Sequence, residues 1–441
     1  MRSWPLALCG IASCGWIAGV GSYTTTGDGG SAGPSDANVS GDAPANACTT
    51  GFGSNGLCAT SLTAGVGETC LIGPDAMYCW GQNIIGVSTP AYTPVKLQLG
   101  PTPISVQLSS SADTTSEPQS AVSVGCYLGS DGGSLTCWGD SSWGQVQVVV
   151  TDYKGAATMV PQVITAYAVG ADHVCASGAN ASIVCWGRSD EDELNAPVGV
   201  TCGPGFCSTE FVQTNSIQTR GAFVAGAAHT CVGWNSLGAL DDIACWGDNE
   251  KGQLGGASGV MYDVVEQVVM TNGTESLGSA SELALGASHT CAIVGVATYC
   301  WGANDRAQLG VGGMSSSTPI VLATAPTFVH IAAGTNTTCG IDTSGAVLCW
   351  GDNTQGQAGQ GPGSTDFMPM TVPEPTPVAG IANATMISVG DLHACAGLAD
   401  GDIMCWGDNQ FGELGDGSDM HPAFTCAFGD CSPTPVRVTK L

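Results

Sequence analysis

Thr298-Tyr299-Cys300-Trp301-Gly302-Ala303-Asn304, with Gln308-Leu309-Gly310 close behind, is one of seven variations on a single theme. Cys-Trp-Gly recurs at Cys79, Cys137, Cys185, Cys245, Cys300, Cys349 and Cys405. The copies follow one another at intervals of roughly 50 to 60 residues, the mark of one supersecondary unit copied around or along an axis. Upstream of the tripeptide stand related lines such as Gly226-Ala227-Ala228-His229-Thr230-Cys231, Gly286-Ala287-Ser288-His289-Thr290-Cys291 and Gly390-Asp391-Leu392-His393-Ala394-Cys395. Downstream come Gly247-Asp248-Asn249 with Gly252-Gln253-Leu254-Gly255, and its counterparts at 351–359 and 407–415. No stretch shows an apolar period of 3.6 with caps, whereas short alternating runs lie between turn residues, so the units are read as strands and the fold as all-β. With 65 Gly and 22 Pro, the chain has the composition that many tight turns and edge strands require.

The chain has 22 cysteines. Apart from Cys9 and Cys14 near the N-terminus they fall into local pairs: Cys48 with Cys58, Cys70 with Cys79, Cys126 with Cys137, Cys175 with Cys185, Cys202 with Cys207, Cys231 with Cys245, Cys291 with Cys300, Cys339 with Cys349, Cys395 with Cys405, and Cys426 with Cys431. Regular pairing of this kind, without a Cys-x-x-Cys, reads as a disulfide framework in an oxidising compartment rather than as zinc ligation. Opposed residues of an antiparallel hairpin lie ~4.5–5.5 Å apart, within disulfide reach, so each unit is expected to carry its own staple. Closing a loop of this size stabilises by roughly 2–3 kcal/mol. Trp80, Trp138, Trp186, Trp246, Trp301, Trp350 and Trp406 follow the second Cys and point to the opposite side of the strand, where they are expected to wedge between neighbouring units. His173, His229, His289 and His393 stand two residues before the first Cys. Symmetry holds them apart, so hydrogen bonding in their turns is expected rather than metal binding.

The pattern Gly-x-x-His-Thr-Cys followed by Cys-Trp-Gly-x-Asn-x-x-Gly-Gln-Leu-Gly resembles the repeats of the regulator of chromosome condensation family, over about residues 59–441. The resemblance implies a seven-bladed β-propeller. The disulfides depart from the intracellular eukaryotic members and suit an exported bacterial version. Most units end in a Pro-flanked strand such as Thr93-Pro94-Val95-Lys96-Leu97, and the last, Pro433-Thr434-Pro435-Val436-Arg437-Val438, closes the sequence. Because the first unit has no such strand ahead of it, Pro435–Lys440 is expected to pair into the N-terminal blade and latch the ring.

Residues 1–21 read as a signal peptide or lipoprotein anchor, with Ile11-Ala12-Ser13-Cys14 resembling a lipobox whose Cys14 would be lipidated. Residues 22–47 read as a flexible Gly/Ser/Asp-rich linker and 48–441 as the propeller. Both readings of the leader place the protein outside the cytoplasm, in the bacterial outer membrane or cell envelope or secreted, with membrane contact only through the N-terminal anchor. Nine Lys and Arg against 37 Asp and Glu give a net charge of −28, which repels nucleic acid. The acidic run Asp190-Glu191-Asp192-Glu193 is read as a solvated loop rather than a cation site. The stapled loops 202–207 and 426–431 carry Phe206 and Phe428 as candidate contact points. No Ser/His/Asp set, carboxylate pair or calcium loop gathers, so no catalytic, cofactor or metal residue is assigned, and a non-enzymatic monomer is expected. The function read from the sequence is a protein-interaction scaffold whose loops bind a protein or surface polymer. The alternatives are a secreted enzyme inhibitor like the β-lactamase-inhibitor propellers, a guanine-nucleotide-exchange regulator by family analogy, and a polysaccharide-active hydrolase or lyase.

Overall fold

The computed structural model describes residues 59–109, 123–130, 134–146, 164–178, 182–195, 200–202, 205–218, 223–235, 241–256, 262–268, 276–361, 370–421, 426–427 and 429–439. Among them the chain forms 28 strands and no helix, in seven antiparallel sheets that make a seven-bladed propeller. Blade 1 shows the plan. Ser61–Ala64, Glu68–Ile72, Met77–Gly81 and Ala91–Leu97 pair in that order, and are called strands A to D from the axis outward. Blades 4 to 7 repeat it. Blade 2 has three strands among the described residues, and blade 3 has five, because Val200–Cys202 folds back onto the long D strand Gly205–Gln218. The A strands surround a small axial cavity lined by residues such as Ala64, Leu108, Val169, Val224, Leu285, Ala332 and Val389, one from each blade.

Strand D is the open edge of blades 1 and 4 to 7, and its prolines are placed where a missing N–H does no harm. In blade 5 Cys300 pairs with Ile320 and Gly302 with Ser316, so residues 317–319 bulge past Trp301 and Pro319 sits in the bulge. Pro94, Pro373 and Pro375, and Pro433 and Pro435 occupy the same bulge in blades 1, 6 and 7. A bulged, proline-bearing edge is a poor template for edge-to-edge association.

The ring closes differently from the expected latch. The last strand, Cys431–Arg437, pairs with Ile403–Asp408 of its own blade, with Cys405 opposite Val436. The N-terminal blade takes its edge strand, Ala91–Leu97, from the residues directly after its own Cys-Trp-Gly. Local pairing closes a short loop, whereas the latch would have closed the whole chain. Blades 7 and 1 instead pack side by side. Leu62, Leu71, Tyr78 and Trp80 share one buried cluster with Met386, Ile403, Leu414 and Val438. The Ala64 amide donates to Ser388 Oγ (2.8 Å), and the Asp391 amide donates to the Gly65 carbonyl (3.0 Å).

Cys and Trp are adjacent in sequence and therefore project from opposite faces of strand C. In blade 6 the Cys339–Cys349 disulfide packs in the cluster that receives Trp406 of blade 7. The same arrangement recurs at every interface, through to Cys395–Cys405 against Trp80 where the ring closes. One blade's staple is thus the floor on which the next blade's indole rests. Each of the seven repeat disulfides joins directly opposed residues, with Cα atoms 4.0 or 4.1 Å apart. Cys202–Cys207 and Cys426–Cys431 are also bonded, so all eighteen described cysteines are paired. Cys48, Cys58, Cys14 and the proposed anchor and linker lie outside the described residues.

Candidate interaction face

The blades are welded at one end of the propeller by a repeated polar device. In the loop after Cys-Trp-Gly, the Gln253 carbonyl accepts two hydrogen bonds from the next blade, from Trp301 Nε1 (2.8 Å) and Thr290 Oγ1 (2.9 Å). Gln308 does the same for Trp350 and Thr338. His229 Nε2 lies 3.0 Å from Thr290 Oγ1, and His289 Nε2 lies 2.8 Å from Thr338 Oγ1. A carbonyl only accepts, so each threonine proton is committed to it and the imidazole Nε2 must be the donor. His229 and His289 therefore carry a proton on Nε2, in the neutral ring that burial favours. Burial agrees with this, holding His229 and His393 down to about 3 and His173 and His289 down to about 4. The expectation that these histidines bond within their own turns is thereby corrected: Nε2 reaches the threonine of the next blade, through to His393 and Thr69 at the closing interface (2.7 Å).

The scheme has substitutions. Glu68 takes the histidine position in blade 1 and accepts from Ser123 of blade 2. Burial pushes its carboxyl up to about 7. Trp138 Nε1 finds no acceptor among the described residues, because the loop after Trp80 lacks the Gln or Glu position whose carbonyl serves the other six indoles.

In an antiparallel four-stranded blade the A–B turns and C–D loops emerge at the same end. That end carries the elaborations. Its C–D loops run over 249–261, 303–315, 353–370 and 409–430, whereas the B–C hairpins at the other end span only 73–76, 295–296, 343–346 and 399–402. The stretch between the A and B strands of blade 2, 109–123, and both small stapled loops belong to the elaborated end as well.

The acidic run at 190–193 is not a simple solvated loop. It wraps Arg188, whose guanidinium meets Asp190 (2.9 Å), Asp172 (3.2 Å), Glu193 (3.7 Å) and Glu191 (3.9 Å) and stacks on Trp143 at 5.1 Å. Asp190 also accepts the Phe206 amide, which fixes the stapled hairpin and leaves the Phe206 ring half exposed. Glu193 is fully buried and pushed up to about 8. Phe428, its counterpart in blade 7, lies outside the described residues.

Blade 7 answers with a histidine. His421 Nδ1 lies 2.8 Å from Asp430 and Nε2 lies 3.0 Å from Asp416. A neutral imidazole has one N–H, so only the imidazolium satisfies both carboxylates, and the two aspartates raise its pKa. Since the folded-state pKa is raised, this clamp is complete below the ordinary histidine value of 6.5 and is lost as pH rises through the raised value. Hydrogen-exchange protection at residues 409–421, corrected for intrinsic rates, is expected to fall between pH 6 and pH 9, and to do so far less in His421→Asn. Identical profiles for the two proteins would remove the clamp.

Among the described residues no group of three His, Cys, Asp or Glu side chains is arranged to hold a metal, and no helix is long and apolar enough to cross a membrane. Exposed apolar side chains were not singled out from sequence at this end beyond the two phenylalanines. Met314, Met370 and Met420, all in C–D loops, are exposed; Met314 and Met370 stand just ahead of their edge strands, and Met420 lies in the middle of its loop.

A ring of seven stapled blades, six of them with a carbonyl-pinned indole, carrying its long C–D loops at one end is a repeat-propeller scaffold. Models of the regulator of chromosome condensation (RCC1) repeat match residues 297–341, 344–396, 328–357 and 386–413, so the chain carries repeats of that family. Among curated proteins it is 30% identical over 320 residues to the ultraviolet-B receptor UVR8 of Arabidopsis thaliana, covering 69% of this chain and 66% of that protein. It is 24% identical over 257 residues to the human E3 ubiquitin-protein ligase HERC2, covering 56% of this chain but only 5% of HERC2. Among solved structures, Prp20p of Saccharomyces cerevisiae, studied with its binding to Gsp1p and histones, superposes with a TM-score of 0.60 at 16% identity, over 76% of this chain and 80% of that one. Human WBSCR16 gives 0.58 at 15% identity, over 79% and 85%. At these identities the structural matches speak to the fold.

Proposed function

We propose that the protein is an exported protein-interaction scaffold, tethered through a lipidated Cys14 and the linker 22–47, that engages its partner with the C–D loop face. The observation that carries this reading is the asymmetry of the propeller. The B–C hairpins at one end are short, while the other end bears the long C–D loops, two disulfide-closed loops and the Arg188 and His421 clusters on a backbone locked between blades. Recognition residues gather where a rigid frame presents variable loops. Binding by Prp20p to Gsp1p and histones is a property of that protein, and supports protein binding as a use of this fold. The nine described disulfides support an oxidising compartment, since such a density is sustained outside a reducing cytosol.

Capture from cell-envelope and medium fractions with the oxidised full chain tests the reading. A stoichiometric protein partner is expected, and photocrosslinkers at Ser142 or Asp419 on the loop face should label it while crosslinkers at Ser344 or Asp400 on the hairpin face do not. Labelling from the hairpin face alone would overturn it. Titration of the native protein is expected to find almost no reactive thiol; many free thiols would contradict export.

A further inference from the structure

We infer that Cys202–Cys207 and Cys426–Cys431 are thiol-exchange sites, opened by an external dithiol in the folded protein while the seven repeat disulfides stay closed, and that their opening loosens the Arg188 and His421 clusters. The inference stands on burial and register, and goes beyond the scaffold reading by giving these two disulfides a chemistry of their own.

The two small staples are one device built twice. Cys207 stands opposite Arg188 and Cys431 opposite Asp408, in each case the residue directly after Cys-Trp-Gly. Cys202 pairs with Gly205, and Cys426 pairs with Gly429 in the same way. The Ser189 amide donates to the Phe206 carbonyl at 2.9 Å, and the Asn409 amide donates to the Asp430 carbonyl at 2.9 Å. Blades 4 and 6 keep this register with Tyr262 and Thr371 in the places of Cys207 and Cys431. A blade is therefore complete without the second staple.

Access separates the two kinds of disulfide. The fourteen cysteines of the repeat disulfides are at most 1% exposed. Each of those disulfides shares a buried cluster with the tryptophan of the next blade. A thiolate reaches them only when two blades part, an opening that costs much of the stability of the ring. Cys202 and Cys426 are instead half-buried, although their partners Cys207 and Cys431 are buried. Each small staple thus offers one sulfur to attack, and access governs the rate of exchange.

In the exchange a thiolate bonds to Sγ of Cys202 or Cys426 as the S–S bond breaks. Cys207 or Cys431 leaves with the electron pair and takes up a proton. The second thiol of the reductant attacks the mixed disulfide, closes its own disulfide and releases Cys202 or Cys426, so two electrons pass from the dithiol to each staple. The opened segments bear directly on the charged clusters. Asp190, which holds Arg188, also accepts the Phe206 amide next to Cys207. Asp430, next to Cys431, accepts from Asn409 Nδ2 at 2.9 Å, from the His421 amide, and meets His421 Nδ1 at 2.8 Å.

The test treats the oxidised full chain, without denaturant, with a concentration series of dithiothreitol, traps thiols with iodoacetamide and maps them by mass spectrometry. Cys202, Cys207, Cys426 and Cys431 are expected to be alkylated roughly a hundredfold or more faster than any repeat cysteine, because the repeat disulfides wait for blades to part. The ring should keep a single cooperative melting transition at that stage. Hydrogen-exchange protection over 188–193 and 409–421 should fall by about tenfold or more once the staples open, since each no longer constrains its loop. C202S/C207S/C426S/C431S should show the same loss of protection without any reductant. Repeat disulfides that open first or together with the staples would overturn the inference, as would staples that resist dithiothreitol until the chain melts. Unchanged protection after both staples have opened would overturn their coupling to the two clusters.

Discussion

Replacing Gly351 by alanine is expected to lower the melting temperature of the oxidised protein by roughly 5 °C, corresponding to about 4 kcal/mol for a domain of this size. Gly351 is the glycine of the sixth Cys-Trp-Gly and has φ of 104°, where an L side chain is strained. A Cβ there would stand 2.3 Å from the Asn336 carbonyl oxygen, a backbone atom with nowhere to swing. That carbonyl is already in use, accepting the Asp352 amide at 2.9 Å. Moving it would disturb the A–B turn at 334–337, whose Gly334 lies against the Gly390 carbonyl of the next blade. Gly380 supplies the control. Its φ is 87°, yet nothing lies within 4 Å of the position a Cβ would take. Gly380→Ala therefore bears only the backbone strain of about 1–2 kcal/mol. Calorimetry under non-reducing conditions should separate the two by several degrees, and melting points within a degree of each other would mean that the close approach is not structural.

The tripeptide made the architecture legible because each of its residues has one job imposed by strand geometry. Cys must meet its partner across the hairpin, Trp must leave by the other face, and Gly must take a positive φ where the chain turns into its loop. Period and alternation are local properties, and the seven-bladed ring follows from them. Ring closure was harder, because a terminal Pro-flanked strand looks the same whether it pairs with its own blade or with the first. Only the placement of Ala91–Leu97 decides between them. The histidines misled for a related reason. Their spacing from Cys is visible in the sequence, but their acceptor lies 49 to 61 residues further on, or 324 back at the closing interface. At 190–193 the carboxylates were legible and Arg188 was not assigned to them, because the reach of one guanidinium across four acids depends on how the loop folds.

Glu413→Gln is expected to stabilise the protein at pH 8 by about 2 kcal/mol and to do little at pH 5. The position is Gln in blades 4, 5 and 6, where the carboxamide has two tasks. Gln357 Oε1 accepts the Gln355 amide and its Nε2 donates to Asp352 at 2.9 Å. Gln253 likewise donates to Asp248 at 2.6 Å. Glu413 performs the first task, accepting the Phe411 amide at 2.8 Å, but has no N–H for the second. It is almost fully buried beside Asp408, with Glu68 adding to the field, so burial and the like charge hold it well above the ordinary 4.5. Asp408, with Asp391 and Asp430 nearby, is itself pushed up to about 7, chiefly by burial. The pair is satisfied when protonated. A carboxyl whose folded-state pKa is raised stabilises fully below its unfolded value and loses that contribution as pH rises through the raised one. Glu68, Asp408 and Glu193 therefore favour the fold at mildly acidic pH and have lost that contribution above about 7 to 8, and Glu413 acts in the same direction. The neutral interblade histidines pull the other way. Their depressed pKa values give stability that is present above 6.5 and lost as pH falls toward about 3 to 4. The two sets oppose each other between 4.5 and 6.5, and the melting temperature is expected to peak there. Glu413→Gln should flatten the alkaline limb and leave the acid limb in place, whereas His229→Gln should flatten only the acid limb. A wild-type melting temperature that climbs steadily from pH 5 to pH 9 would contradict the protonated pair, and an unchanged alkaline limb in Glu413→Gln would show that the weakness lies elsewhere than between Glu413 and Asp408.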